Sequence, residues 1–224
     1  MTGPERSRVL AVDPVAPSRA ALRAAADTLR AGGVVAFPTE TFYGLAVAAL
    51  DSGSVRRLFE LKGRPHSKPL LVLVDSVAMA ETVAHVTPSA RDLMTRYWPG
   101  ALTLVMPAHA AVPSVVTAGT GTLGVRLSSH PVARGLAELL GEPVTAPSAN
   151  PNGLAPPTTA AGVLGHFPEG IDLILDGGAT RGGEPSTVLD LTVDPPRVLR
   201  QGAVVVRDIT RQPGRAQPVR TSRS

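Results

Sequence analysis

The chain has 224 residues, 43% of them hydrophobic, which is enough for one domain with a sizeable core, since a chain of this size buries roughly 70% of its unfolded surface. Seven aromatic residues (one Trp, two Tyr, four Phe) and no cysteine exclude an aromatic stacking platform for single-stranded RNA, disulfides, thiolate metal sites and a cysteine nucleophile. The net charge of +4 is carried by residues 207–224, with five Arg against one Asp, so residues 1–206 are neutral in sum and the basic balance describes a tail.

With so few aromatics, the core must be built from Ala, Val and Leu, which suits helices packed on a sheet. Glu5, Arg6 and Arg8 precede a short apolar stretch that lacks the pattern of a signal peptide, and no apolar run is long enough to span a bilayer. A cytoplasmic setting without membrane contact is expected.

In chain order, residues 18–31 place Leu22, Ala25, Ala26 and Leu29 on one helical face, with Ser18 as N-cap and Gly32–Gly33 as the stop. Strands are expected at 34–38 and 69–74, and helices at 52–62, 76–85 and 88–97, the last with Thr87 as N-cap and Pro88 in its first turn. Strands at 101–107 and 123–127 precede a helix over 131–140 that ends at Gly141. Further strands are expected at 143–146, 171–175, 186–191 and 204–207. Several of these neighbours leave no room for a crossover helix, so the sheet is mixed. The reading is an N-terminal extension (1–17), a single α/β domain (18–206) and a mobile basic tail (207–224).

The heptapeptide KGRPHSK (62–68) sets Lys62, Arg64 and Lys68 around Gly63 and Pro65, a cluster that suits either a polyphosphate or a solvated basic loop. The chain has 20 Arg and only two Lys, and both Lys fall here, which favours a need for a compact ammonium. In PTETFYGLA (38–46), Thr39 and Thr41 offer hydroxyls at a strand end, or cap a turn. Arg126 lies in an apolar strand, opposite in facing to Leu123, Val125 and Leu127, where it either pairs with an anion or faces solvent. Ser148, Asn150 and Asn152 fall in a Pro/Gly-bounded loop that suits an adenine or phosphate; without a GxSxG elbow, Ser148 is a poor nucleophile. The five His show no metal-ligand spacing, and there is neither a P-loop nor a GxGxxG fingerprint, so no protein-held metal is expected.

Taken in order, PTETFYGLA, KGRP, WPGALTLV (98–105), GVRLSSHP (124–131), APSANPNG (146–153) and PSTVLDL (185–191) resemble the YrdC-type threonylcarbamoyl-AMP synthases, in their short single-domain form. The resemblance implies a twisted mixed sheet flanked by helices, with a basic concave cavity. It also implies synthesis of threonylcarbamoyl-AMP and pyrophosphate from L-threonine, bicarbonate and ATP, with magnesium arriving on the ATP, for threonylcarbamoyladenosine modification of tRNA. By position, Thr41, Arg126, Ser186 and the backbone of Ala146 resemble threonine contacts. Arg64, Lys68, Thr122, Ser148 and Arg200 resemble ATP contacts, with Lys62 placed at the phosphates and Asn150 in the nucleotide loop. Lys62, Arg64 and Lys68 are the cations expected to act on the leaving pyrophosphate. Partner expectations are handover of product to the tRNA threonylcarbamoyl transferase and weak attraction of RNA by the tail. Lys68, Leu73, Asn152 and Pro156 depart from residues frequent in the family. A non-catalytic RNA-binding protein, or a relative acting on another carbamoyl-type substrate, are the rival readings.

Overall fold

The computed structural model describes residues 7–205; the expected tail, and Val206 and Arg207 of the strand expected at 204–207, lie outside these residues. The first helix, α1 (Arg19–Arg30), begins where the sequence predicts. The Ser18 hydroxyl accepts from the Ala21 amide at 3.2 Å, and the buried face is Leu22, Ala25, Ala26 and Leu29. It packs on α6 (Pro131–Leu140), which buries Val132, Ala133, Leu136 and Ala137. Small side chains let the two axes approach closely: a Cβ at Gly135 would stand 2.7 Å from the Leu22 methyl.

Two mixed sheets form. The first has the order β1 (Arg8–Ala11), β8 (Leu173–Asp176), β2 (Val35–Phe37), β3 (Gly44–Ala46), with only β2 and β3 antiparallel. The second has the order β10 (Arg197–Arg200), β9 (Thr187–Asp190), β5 (Leu102–Pro107), β6 (Thr122–Arg126), β4 (Leu71–Leu73), β7 (Val144–Thr145). Their edges meet at β3 and β7, where the amides of Leu45, Ala49, Thr145 and Ala149 bond to the carbonyls of Pro147, Pro143, Val47 and Tyr43. The expected single twisted mixed sheet is thus present as two sheets stitched along a seam.

Helices cover both faces. One core joins the seam to α1 and α6; the other packs it against α2 (Ser52–Lys62), α4 (Pro88–Tyr97) and α7 (Ala160–His166). The expected helix at 76–85 is α3 (Val77–Val83), and a short α5 (Ser114–Thr117) leads into β6. Strand β1 lies within the stretch expected to be an extension, as an exposed edge of the first sheet. The expected strand at 204–207 is a correction: Val204 and Val205 are irregular, because the Val204 amide and carbonyl are both taken by the Thr187 hydroxyl (3.1 and 2.6 Å). The strand in this region is β10, seven residues earlier in its start.

Candidate active site

The seam opens on one side into a cavity of about 820 Å³, within the size range of small-molecule sites. Its wall includes Thr41, Arg64, Thr122, Arg126, Ala146, Ser148, Ser186 and Arg200, so eight residues singled out in the sequence converge from strands and loops far apart in the chain. Thr39, Thr103, Thr120 and Pro156 also line it.

The hydroxyls are held by local bonding. Thr39 sits in the tight connection between β2 and β3; its hydroxyl donates to the Phe42 carbonyl at 2.7 Å and lies 3.2 Å from the Thr41 hydroxyl. Since Thr39 spends its proton on Phe42, Thr41 is the donor of that pair and its lone pairs stay open. At the other wall, the Ser186 hydroxyl contacts that of Thr103 at 2.9 Å and accepts from the Arg200 guanidinium at 3.0 Å. Arg200 also donates to the Ser186 carbonyl, at 2.8 and 3.1 Å. Thr103 was not anticipated, although it is the one polar residue in the strand run LTLVMP.

Three guanidiniums face the cavity, and among the described residues no carboxylate is on its wall. Arg64 leaves the C-terminal cap of α2, where Gly63 takes the left-handed conformation (φ 56°), and donates to the carbonyls of Lys68 and Pro69 at 3.2 and 2.8 Å. Arg126 is 5% exposed at the end of β6, and its Nε is buried without a hydrogen-bond partner. Burial lowers the pKa of all three; the Arg126 charge lowers that of Arg200 further, while Glu40 works to raise that of Arg126. All three remain cations at neutral pH. Glu40, overlooked beside the two threonines, faces Arg126 at 3.5 Å and accepts from the Ser128 hydroxyl.

Three expected site residues are not on the wall. Lys62 is 3% exposed and its ammonium donates backwards, to the carbonyls of Ser148 and Asn150. Burial, and next the Arg64 charge, push its pKa down to about 7. Asn150 is buried and donates to the carbonyls of Pro151 (3.0 Å) and Leu154 (2.6 Å). Lys68 is exposed, 3.3 Å from Asn152. These residues fix the loop that presents Ser148 instead of facing the cavity. Of the departures, Leu73 is wholly buried in the core, and Pro156 alone is on the wall.

The Ala146 amide donates to the Leu71 carbonyl at 3.1 Å, which leaves its carbonyl as the backbone group available to a ligand. Among the described residues, no helix is long and apolar enough to cross a membrane, and no cluster of three metal-ligating side chains occurs.

Two mixed sheets with helices on both faces and a guanidinium- and hydroxyl-lined cavity make this an α/β domain with a polar concave site, and comparison with known proteins gives the family. The Sua5/YciO/YrdC family model, described as telomere recombination, matches residues 27–202, and the chain belongs to this family. It is 46% identical over 189 residues to a threonylcarbamoyl-AMP synthase of Pyrococcus abyssi, covering 84% of this chain and 56% of that protein. It is 42% identical over 187 residues to one of Bacillus subtilis, covering 83% and 54% respectively. Among solved structures, P. abyssi Sua5 complexed with L-threonine superposes with a TM-score of 0.87 at 44% identity, over 91% of this chain and 60% of that one. The chain spans about half the length of these curated relatives.

Proposed function

We propose that the chain is an L-threonylcarbamoyladenylate synthase. It converts L-threonine, bicarbonate and ATP into threonylcarbamoyl-AMP and pyrophosphate, for modification of tRNA next to the anticodon. The observation that carries the reading is a single cavity whose wall brings together hydroxyls, a buried arginine beside Glu40, and two further guanidiniums that form no ion pair among the described residues. Relatives named for this activity, and one solved with L-threonine, support it.

In this reading Arg126 takes the threonine carboxylate, and Thr41 and Ser186 orient the hydroxyl and amine. The threonine amine, in its unprotonated form, attacks the bicarbonate carbon; the C–OH bond breaks and hydroxide leaves with an amine proton as water, giving a carbamate. A carbamate oxygen then attacks the α-phosphorus of ATP, and the bond from that phosphorus to the bridging oxygen breaks, releasing pyrophosphate. Negative charge grows on the leaving group, where Arg64 and Arg200 act; one fixed donor at such a place is worth roughly 3 kcal/mol. Ser148 and Thr122 hold the nucleotide. Holding the carbamate next to the phosphorus also supplies proximity and shields a group that water would destroy.

Magnesium enters with ATP. The described wall offers guanidiniums and hydroxyls and no carboxylate for a resident divalent cation, so an ion brought by ATP would be held by the phosphate oxygens and water. The product is a mixed anhydride that hydrolyses readily, which favours handover to a tRNA threonylcarbamoyl transferase. The deciding assay is pyrophosphate release with each substrate omitted in turn. The synthase requires both L-threonine and bicarbonate. Release that needs another acceptor identifies a relative of different specificity, and no release with retained RNA affinity identifies a binding protein.

A further inference from the structure

We propose that Glu40 is a specificity-determining residue: by neutralising Arg126, it keeps the amino-acid end of the cavity closed to phosphate. The inference rests on the reading of the cavity given above and assigns a role to a residue outside its wall.

Its basis is an asymmetry among three cations that share one cavity. Arg64 and Arg200 bond only to carbonyls and a hydroxyl, and neither forms an ion pair among the described residues. Arg126 alone has a carboxylate beside it, Glu40 at 3.5 Å. That carboxylate is itself held: one oxygen accepts from Ser128, while the other is buried with no hydrogen-bond partner, as is the Arg126 Nε. The pair is therefore unsaturated on both members. An ion pair in which each member keeps one buried polar atom without a partner is uncommon, and it calls for a ligand with both an acceptor and a donor.

Charge arithmetic decides which ligand that is. A free guanidinium attracts any anion, and polyphosphate more than a carboxylate, because attraction scales with the charge brought in. Beside Glu40 that attraction is offset, and the repulsion from Glu40 grows with ligand charge in the same proportion. An amino acid is zwitterionic: its carboxylate meets Arg126 while its ammonium lies in the field of Glu40. Pyrophosphate or an ATP tail has no such positive group. Arg64 and Arg200, with no carboxylate to offset them, remain the cations for phosphate. Arg126 and Arg200 line one cavity, and the Arg126 charge lowers the pKa of Arg200, so a ligand placed at the wrong end is a real hazard. Glu40 thus separates two anion sites that bare arginines would merge.

The test is calorimetric titration of the full chain with L-threonine, ATP and inorganic pyrophosphate, alone and in competition. In the native protein, pyrophosphate should displace ATP and leave threonine binding unchanged. In Glu40→Gln, pyrophosphate should also compete with threonine, whose affinity should fall about tenfold as a charge-assisted arrangement is lost, while ATP affinity stays within about twofold. Glu40→Asp should restore the exclusion. A merely structural role would weaken all three ligands together. Unchanged exclusion and threonine affinity in Glu40→Gln overturn the inference, and so does competition between pyrophosphate and threonine in the native protein, a measurement that stands even if the variant does not fold. Native protein that binds no threonine overturns the functional reading and this inference together, whereas native binding with an unaltered variant overturns this inference alone.

Discussion

The side-chain nitrogen of Lys62, at the end of α2, donates to the main-chain carbonyl of Ser148 and so anchors the loop of the cavity wall from behind. The adjacent Asn150 carbonyl is its second acceptor, and the Asn152 amide bonds back to the Lys62 carbonyl at 2.9 Å. A guanidinium is wider and planar, and does not fit between two carbonyls at the end of a buried stem. Lys62→Arg should therefore lower the melting temperature, by overpacking of about 1–3 kcal/mol, and slow pyrophosphate release through a displaced Ser148. Lys68→Arg, at an exposed site, should stay within about 0.5 kcal/mol of the native protein. Melting curves beside steady-state rates check both; a stable Lys62→Arg with full activity would remove the anchoring role.

Arg126→Ala deletes the cation expected to take the threonine carboxylate and also leaves Glu40 largely buried without its counter-charge. Stability should fall by about 3–5 kcal/mol in urea unfolding. The double variant Glu40→Gln/Arg126→Ala should recover part of this loss, since no buried charge is then left unpaired, while still failing to bind threonine. Independent, additive losses in the two single variants would mean that the pair does not interact.

Ser186→Ala removes the hydroxyl shared by Thr103 and Arg200 but keeps the Ser186 carbonyl that accepts two bonds from Arg200. The expected loss is about 1 kcal/mol of stability and a raised KM for threonine, with the KM for ATP nearly constant. An equal rise in both constants would place Ser186 in service of Arg200 instead.

Tyr43 is wholly buried, donates to the Gly178 carbonyl at 2.8 Å, and has its phenol pushed up from 10.0 to about 12, first by burial and less by Asp176. In the unfolded chain the phenol ionises near 10, while the folded chain keeps its proton to about 12. Its contribution to stability is thus fully present below pH 10 and is lost as pH rises through about 12. Alkaline unfolding should steepen in that window, and Tyr43→Phe should flatten this part of the profile.

The helices were legible where caps and apolar spacing agree, as at Ser18 for α1 and Thr87 for α4, whose hydroxyls both accept from an amide at 3.2 Å. Strand β3 was not, because three residues inside a longer motif carry no period, and α7 was missed because two of its seven residues are Gly. Strand β10 was not legible either: RVLR shows no alternation, and pairing with the β9 backbone and of Arg197 with Asp190 defines it. The motifs gave most of the cavity wall, but not which member of a motif faces inward. Lys62 and Arg64 are two residues apart at a helix end, and the left-handed turn at Gly63 sends one into the protein and the other to the cavity. The Glu40–Arg126 pair is a tertiary contact between a turn and a strand, and no local pattern encodes it.

The seam beneath the cavity bears on how this protein could be given a new substrate. Gly44 lies against the Phe37 ring, which a Cβ would approach to 3.1 Å, and Gly124 lies against Thr103, at 3.3 Å. Tyr43 is locked between β8 and the wall. Such a floor serves two sheets at once, so reshaping it strains both. The rim is different: Leu199 is half exposed and Pro156 sits in a loop, whereas Gly183, although it has open space around it, holds a φ of 78° that favours glycine and is best kept. A library aimed at other amino acids should therefore leave the floor untouched and vary the rim, where altered selectivity need not be bought with lost folding.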